Sequence, residues 1–120
     1  VVLAPAHEPV DPDDPFLYHK TTHRALYARA SSGVPKGKEA LLWNDRGEVT
    51  ETCIANVLFR FGRQWVTPPV GSGLLAGIAR GDLLDRGAAD ERVVTIEEAR
   101  NADECRVINS VRGSAPARLE

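Results

Sequence analysis

Between residues 39 and 67 the chain alternates short apolar, β-branched segments with turn formers, and this stretch constrains the fold more than any other. Glu39-Ala40-Leu41-Leu42-Trp43 reads as a buried strand, and Asn44-Asp45-Arg46-Gly47 supplies a turn. Glu48-Val49-Thr50-Glu51 begins the return strand. Residues Ile54 to Phe61 continue in β-branched and aromatic types, and Gly62-Arg63 turns into Gln64-Trp65-Val66-Thr67. Strands joined by such short connections pair antiparallel, so a meander is expected here.

The flanks add helices. Thr21 or Thr22 is placed to cap a helix running to Ala30, with Ser31-Ser32-Gly33 ending it. Pro68-Pro69 stops the meander, and Gly71-Ser72-Gly73 forms a loop. Leu74-Leu75, Ile78 and Leu83-Leu84 then fall at helical spacing up to Gly87. Arg92-Val93-Val94-Thr95-Ile96 reads as a strand, and Thr95 or Ile96 leads into the short acidic helix Glu97-Glu98-Ala99-Arg100-Asn101. Cys105-Arg106-Val107-Ile108-Asn109 is the last expected strand. The class is α+β, with the strands curling into a partial barrel.

At 120 residues the chain has the size of one domain with its own core. Pro5, Pro9, Pro12 and Pro15 among Asp11, Asp13 and Asp14 make residues 1–15 an expected extended linker. Residues 16–113 form the expected domain, and 114–120 an expected tail. Met is absent altogether, so Val1 is not expected to be a natural start, and Leu119-Glu120 reads equally as an added scar; both ends read as cut. A net charge of −2 gives no basic surface for nucleic acid or an anionic membrane. No apolar run approaches the about 20 residues needed to span a bilayer. Cys53 and Cys105 lack the C-x-x-C spacing of a redox or zinc site and read as buried reduced thiols, which points to the cytoplasm. His19 and His23 stand at i, i+4, half of a zinc pattern that no nearby ligand completes, so no metal is expected.

Of the chain's 15 cationic residues only three are lysines, Lys20, Lys36 and Lys38. Lys20 sits where the aromatic stretch Phe16-Leu17-Tyr18 meets a helix start. Desolvation and the helix dipole there lower an amine's pKa, and a neutral lysine can form a Schiff base; a plain surface lysine is the alternative. Glu51 lies among apolar neighbours in a strand, where a buried carboxylate needs a partner, although alternation also permits the wet face. Thr67 to Arg80 runs strand, glycine-rich turn, helix start, which suits a phosphate on backbone amides. Its glycines fall as G-x-G-x-x-x-G, unlike the dinucleotide fingerprint. Asn109-Ser110-Val111-Arg112-Gly113 gathers polar groups at a strand end, as a ligand loop or simply a turn.

Four segments in order carry a resemblance: Tyr18-His19-Lys20-Thr21-Thr22, Gly47-Glu48-Val49-Thr50-Glu51 with Asn56, Thr67-Pro68-Pro69 through Leu75-Ala76-Gly77-Ile78-Ala79-Arg80, and Asn109 to Gly113. Together they resemble the C-terminal half of the class IV pyridoxal-phosphate aminotransferases, over residues 16–113. Within that family they are most similar to aminodeoxychorismate lyases, as fused behind para-aminobenzoate synthase component I. The resemblance implies the D-amino-acid aminotransferase-like fold and pyridoxal 5'-phosphate as cofactor.

It implies Lys20 as the Schiff-base lysine and proton shuttle, and Glu51 as the carboxylate that keeps the pyridine nitrogen protonated. Backbone amides of Ile78 and Ala79, with Ser110, match the phosphate cradle. Asn56 and Arg80 also match family positions, and packing or strand hydrogen bonding explains them equally. Arg24 and Arg112 are weaker matches for groups that reach substrate carboxylates.

The implied reaction converts 4-amino-4-deoxychorismate to 4-aminobenzoate and pyruvate, a step of folate biosynthesis. Amino transfer by a branched-chain or D-amino-acid aminotransferase uses the same residues, and a non-catalytic domain of this fold is a further alternative. The family's N-terminal domain, with the arginine that clamps the cofactor phosphate, has no counterpart in these residues. The implied partners are therefore that domain, a small-molecule substrate and a second subunit, with little or no activity in the chain alone.

Overall fold

The computed structural model describes residues 1–13 and 24–120, and the side chains of residues 24–26 and 29 lie outside that description. Its elements are β1 (Val2–Pro5), α1 (Arg24–Ser32), β2 (Glu39–Trp43), β3 (Val49–Thr52), β4 (Asn56–Phe61), β5 (Gln64–Thr67), a 3-10 turn (Val70–Ser72), α2 (Ile78–Asp85), β6 (Asp90–Glu91), α3 (Ile96–Arg100), β7 (Glu104–Asn109) and β8 (Gly113–Leu119). The strands form one mixed sheet in the order β3-β2-β1-β8-β7-β4-β5-β6. β2–β3, β4–β5, β4–β7 and β7–β8 pair antiparallel, while β1 lies parallel to both β2 and β8. β3, at one end of that order, comes back against β4, so the sheet curls into a half-barrel.

Alternation along the strands divides the apolar side chains between two faces. Leu3, Leu41, Val57, Phe59 and Val107 meet in the main core with Val49, Val66 and Val94. Their sequence neighbours face the other way: Ala40 and Leu42 pack with Tyr27 and Ala30 of α1, whereas Leu58 and Ile108 pack with Ala79 and Leu83 of α2. Both faces are therefore covered, which is why the strands read as continuous apolar runs. Among the described residues no helix is long and apolar enough to cross a membrane.

Five expectations change. Residues 39–67 form two antiparallel hairpins, β2–β3 and β4–β5, rather than a meander, because β1, β8 and β7 insert between them in the sheet. Residues 1–15 do not form a linker throughout, because Val2–Pro5 is an interior strand and Leu3 is fully buried. Pro5 ends that strand, and the next residue resumes the ladder through Ala6 N–H to the Leu41 carbonyl at 2.9 Å. Residues 114–120 are no tail, since they complete β8 against β7 and β1. Pro116 is tolerated because β1 pairs only with Arg118 and Leu119, beyond it.

The strand expected at residues 92–96 does not form: the short strand here is Asp90–Glu91, just before it, and Thr95 makes only an isolated bridge to Glu48. Residues 92–94 carry no regular element and are held by single backbone bonds, such as Val49 N–H to the Val94 carbonyl at 2.8 Å. The second helix begins at Ile78 rather than Leu74, after Gly73 turns with φ 107°. The capping expectation at Thr95 is met: its hydroxyl accepts from Glu98 N–H, and the Glu98 carboxylate accepts from Thr95 N–H, both at 3.1 Å. Phe16 to Thr22 lie outside the described residues.

Candidate active site

Where β3 turns into β4, the sheet meets the segment leading into α2 and the turn after β7. A cleft of about 410 Å³ opens there, lined by Tyr27, Glu51 to Asn56, Leu75 to Ile78, Asn109 and Ser110. Three local devices shape it. The first is Asn56 at the start of β4, whose buried amide donates to the Leu75 carbonyl at 2.9 Å and pins the segment before α2.

The second is Gly77, which packs so closely on Asn56 that a Cβ there would lie 2.4 Å from Asn56 Oδ1. The third is Asn109, whose Oδ1 accepts from the Val111 and Arg112 amides at 3.1 and 2.6 Å. Its Nδ2 donates to the Ile54 carbonyl at 3.0 Å. That side chain folds the turn that carries Ser110 to the cleft edge.

Glu51 is 3% exposed. Its Oε2 accepts from Tyr27 Oη at 3.2 Å and its Oε1 from Leu75 N–H at 3.4 Å. Burial pushes the carboxyl up to about 8, against the opposing pull of those two donors. Burial, and then the neighbouring carboxylate, raise the Tyr27 phenol as well. Among the described residues Glu51 has no ion-pair partner. Cys53, also on the cleft, donates to the Tyr27 carbonyl at 3.5 Å and accepts from Ser31 Oγ at 3.3 Å, and burial raises its thiol.

Gly77 is the N-cap of α2 and no side chain caps it, so the first amides of the helix have no side-chain acceptor and attract an anion. Arg80, in the first turn of that helix, is buried and held by the Pro68 carbonyl at 3.1 Å and Glu91 at 2.7 Å. Its position is thus structural.

Of the sequence-derived candidates, the fold brings Glu51, Ile78 and Ser110 to one cleft. Ala79 follows Ile78 in the first turn of α2, but its side chain packs toward Leu58 and Ile108. Arg112 stands apart from the cleft lining, exposed and 3.5 Å from Glu39. Lys20 lies outside the described residues, as does the side chain of Arg24. Sequence reasoning missed Tyr27 and the closeness of Gly77 to Asn56. A buried strand carboxylate signals that some donor is needed, but not which one.

A family model described as amino-transferase class IV matches residues 2–119, so the chain belongs to that family. Its members use pyridoxal phosphate. A Schizosaccharomyces pombe protein provisionally named an aminodeoxychorismate lyase is 34% identical over 106 residues, covering 82% of this chain and 46% of that protein. The crystal structure of a provisionally named amino-acid aminotransferase of Mesorhizobium loti superposes with a TM-score of 0.94 at 38% identity, over 99% of this chain and 59% of the other. One of a provisionally named 4-amino-4-deoxychorismate lyase of Legionella pneumophila superposes at 0.83 with 25% identity, over 100% and 48%. The chain thus spans about half the length of these relatives.

The cleft suits a phosphorylated pyridine. A buried carboxylate with no cation among the described residues complements a protonated ring nitrogen, and an uncapped helix start complements a phosphate.

Proposed function

We propose that the chain is the cofactor-bearing part of an aminodeoxychorismate lyase, which releases pyruvate from 4-amino-4-deoxychorismate to leave 4-aminobenzoate. Glu51 would face the pyridine nitrogen of pyridoxal 5'-phosphate, the amides of Ile78 and Ala79 with Ser110 would take its phosphate, and Lys20 would carry the aldehyde carbon. When bound, the cofactor supplies an electron sink for the carbon that loses a proton. Lys20 is the group assigned to take that proton, and Glu51 the one that keeps the ring nitrogen charged.

The observation that carries the reading is Glu51, buried without a cation among the described residues, in one cleft with the start of α2. The lyase assignment draws support from the 34% identity to the S. pombe relative and from Asn109-Ser110-Val111-Arg112-Gly113.

Amino transfer is the second reading, favoured by the 38% identity to the M. loti aminotransferase. In the lyase reading this chain lies behind para-aminobenzoate synthase component I in a cytoplasmic folate-pathway enzyme. An N-terminal domain and a second subunit would complete the pocket, so this chain alone has little activity.

Two assays test these assignments. Borohydride reduction with pyridoxal phosphate, followed by peptide mapping, should label Lys20; label on Lys36 or Lys38 overturns that role. Full-length protein supplied with aminodeoxychorismate should form pyruvate, whereas amino transfer to a keto acid without pyruvate favours the second reading.

A further inference from the structure

We infer that Tyr27 is a positioning residue for Glu51, anchoring one carboxylate oxygen so that the other is held for the cofactor's ring nitrogen. The inference rests on the cofactor reading of the cleft. Among the described residues Glu51 has two donors: the Tyr27 hydroxyl at 3.2 Å on Oε2, and the Leu75 amide at 3.4 Å on Oε1. The second is near the outer limit of a hydrogen bond, so Oε1 is the less committed oxygen.

Tyr27 suits the task because its ring packs with α1 against Ala40 and Leu42, so the hydroxyl stands on a fixed support. The described elements around Glu51 contribute few other titratable groups. α1 offers Tyr27, the turn after β3 offers Cys53, and the segment before α2 offers only backbone. Glu39 of β2 acts on Cys53 rather than on Glu51. Without Tyr27, the buried carboxylate would keep, among the described residues, only the long amide contact, and its charged form would be disfavoured further. A neutral Glu51 cannot balance a pyridinium. Tyr27 also follows Lys20 along the same stretch of chain, so one segment would carry the lysine and the anchor for the carboxylate.

Tyr27→Phe keeps the ring packing and removes only the hydroxyl. In the full chain without cofactor, carboxyl NMR should find Glu51 titrating near 8, and Tyr27→Phe should move that midpoint up by about one pH unit. An unmoved midpoint overturns the inference. Pyridoxal phosphate binding, followed by absorbance, should weaken about tenfold in Tyr27→Phe and not further when that change is added to Glu51→Gln. Equal losses in both backgrounds mean that Tyr27 acts by packing alone, which also overturns it. Loss of binding in Glu51→Gln but not in Tyr27→Phe overturns the role of Tyr27 and leaves the cofactor reading standing. No binding by the full-length wild-type protein overturns both together.

Discussion

Gly77 is the position where one added carbon should report on the whole cleft. It has φ −65° and ψ 152°, which alanine adopts without backbone strain, so Gly77→Ala tests close approach and nothing else. The new Cβ would lie 2.4 Å from Asn56 Oδ1 and 3.6 Å from its Cγ. Asn56 is 6% exposed and bonded to the Leu75 carbonyl, so its amide cannot swing away freely. Relief costs that hydrogen bond and leaves buried polar atoms unpaired, about 1–3 kcal/mol. Alanine narrows the unfolded ensemble and returns about 0.4–1 kcal/mol. The net expectation is a destabilisation of about 1–2 kcal/mol.

For a chain of this length that corresponds to a melting midpoint lower by about 4–8 °C, read by circular dichroism. A second background isolates the cause. In Asn56→Ala the clashing oxygen is gone, so adding Gly77→Ala should be neutral or slightly stabilising. A midpoint for Gly77→Ala at or above the parent's refutes the reasoning, as does the same cost in both backgrounds.

Two further outcomes are expected. The native fold raises the Glu51 carboxyl from 4.5 to about 8, so the folded state keeps a proton that the unfolded chain releases. That stabilisation is complete below about pH 4.5 and lost as pH rises through about 8; urea midpoints should fall across this window and flatten in Glu51→Gln, and parallel curves would refute the assignment. Asn109→Ala removes the acceptor for the Val111 and Arg112 amides and should cost about 1 kcal/mol, with faster hydrogen exchange at residues 110–112. Unchanged exchange there would show that the turn holds itself without Asn109.

The strands of residues 39–67 were legible because their signals are local, but their pairing was not: they form two hairpins, β2–β3 and β4–β5, instead of a meander. β2 to β5 are short runs bounded by their own turns, and the α3 start is a Thr95–Glu98 box contained in four residues. β1 and β8 escaped for the opposite reason. Counted locally, Pro5 and Pro116 argue against strands, yet Val2 pairs with Arg118 and Leu3 with Glu39, partners supplied by distant parts of the chain. The start of α2 was likewise displaced, because Leu74 is taken by burial and Leu75 by bonds to Glu51 and Asn56, which draws both out of the helix.

The candidate site divides along the same line. Residue order alone carried the family resemblance and singled out Lys20, Glu51, Ile78, Ala79 and Ser110. It left Glu51 with two possible faces, since period-two alternation does not say which face is dry when helices cover both. Tertiary packing chose the buried one and gave the carboxylate Tyr27 from α1 and an amide from the segment before α2. It also set Gly77 against Asn56 and separated Arg112 from the cleft lining. The strands β2 to β5 and the cap of α3 depend on neighbours along the chain, so the sequence by itself determined them. Partners, burial and protonation depend on groups that meet only once the sheet has curled, so the tertiary structure decided those.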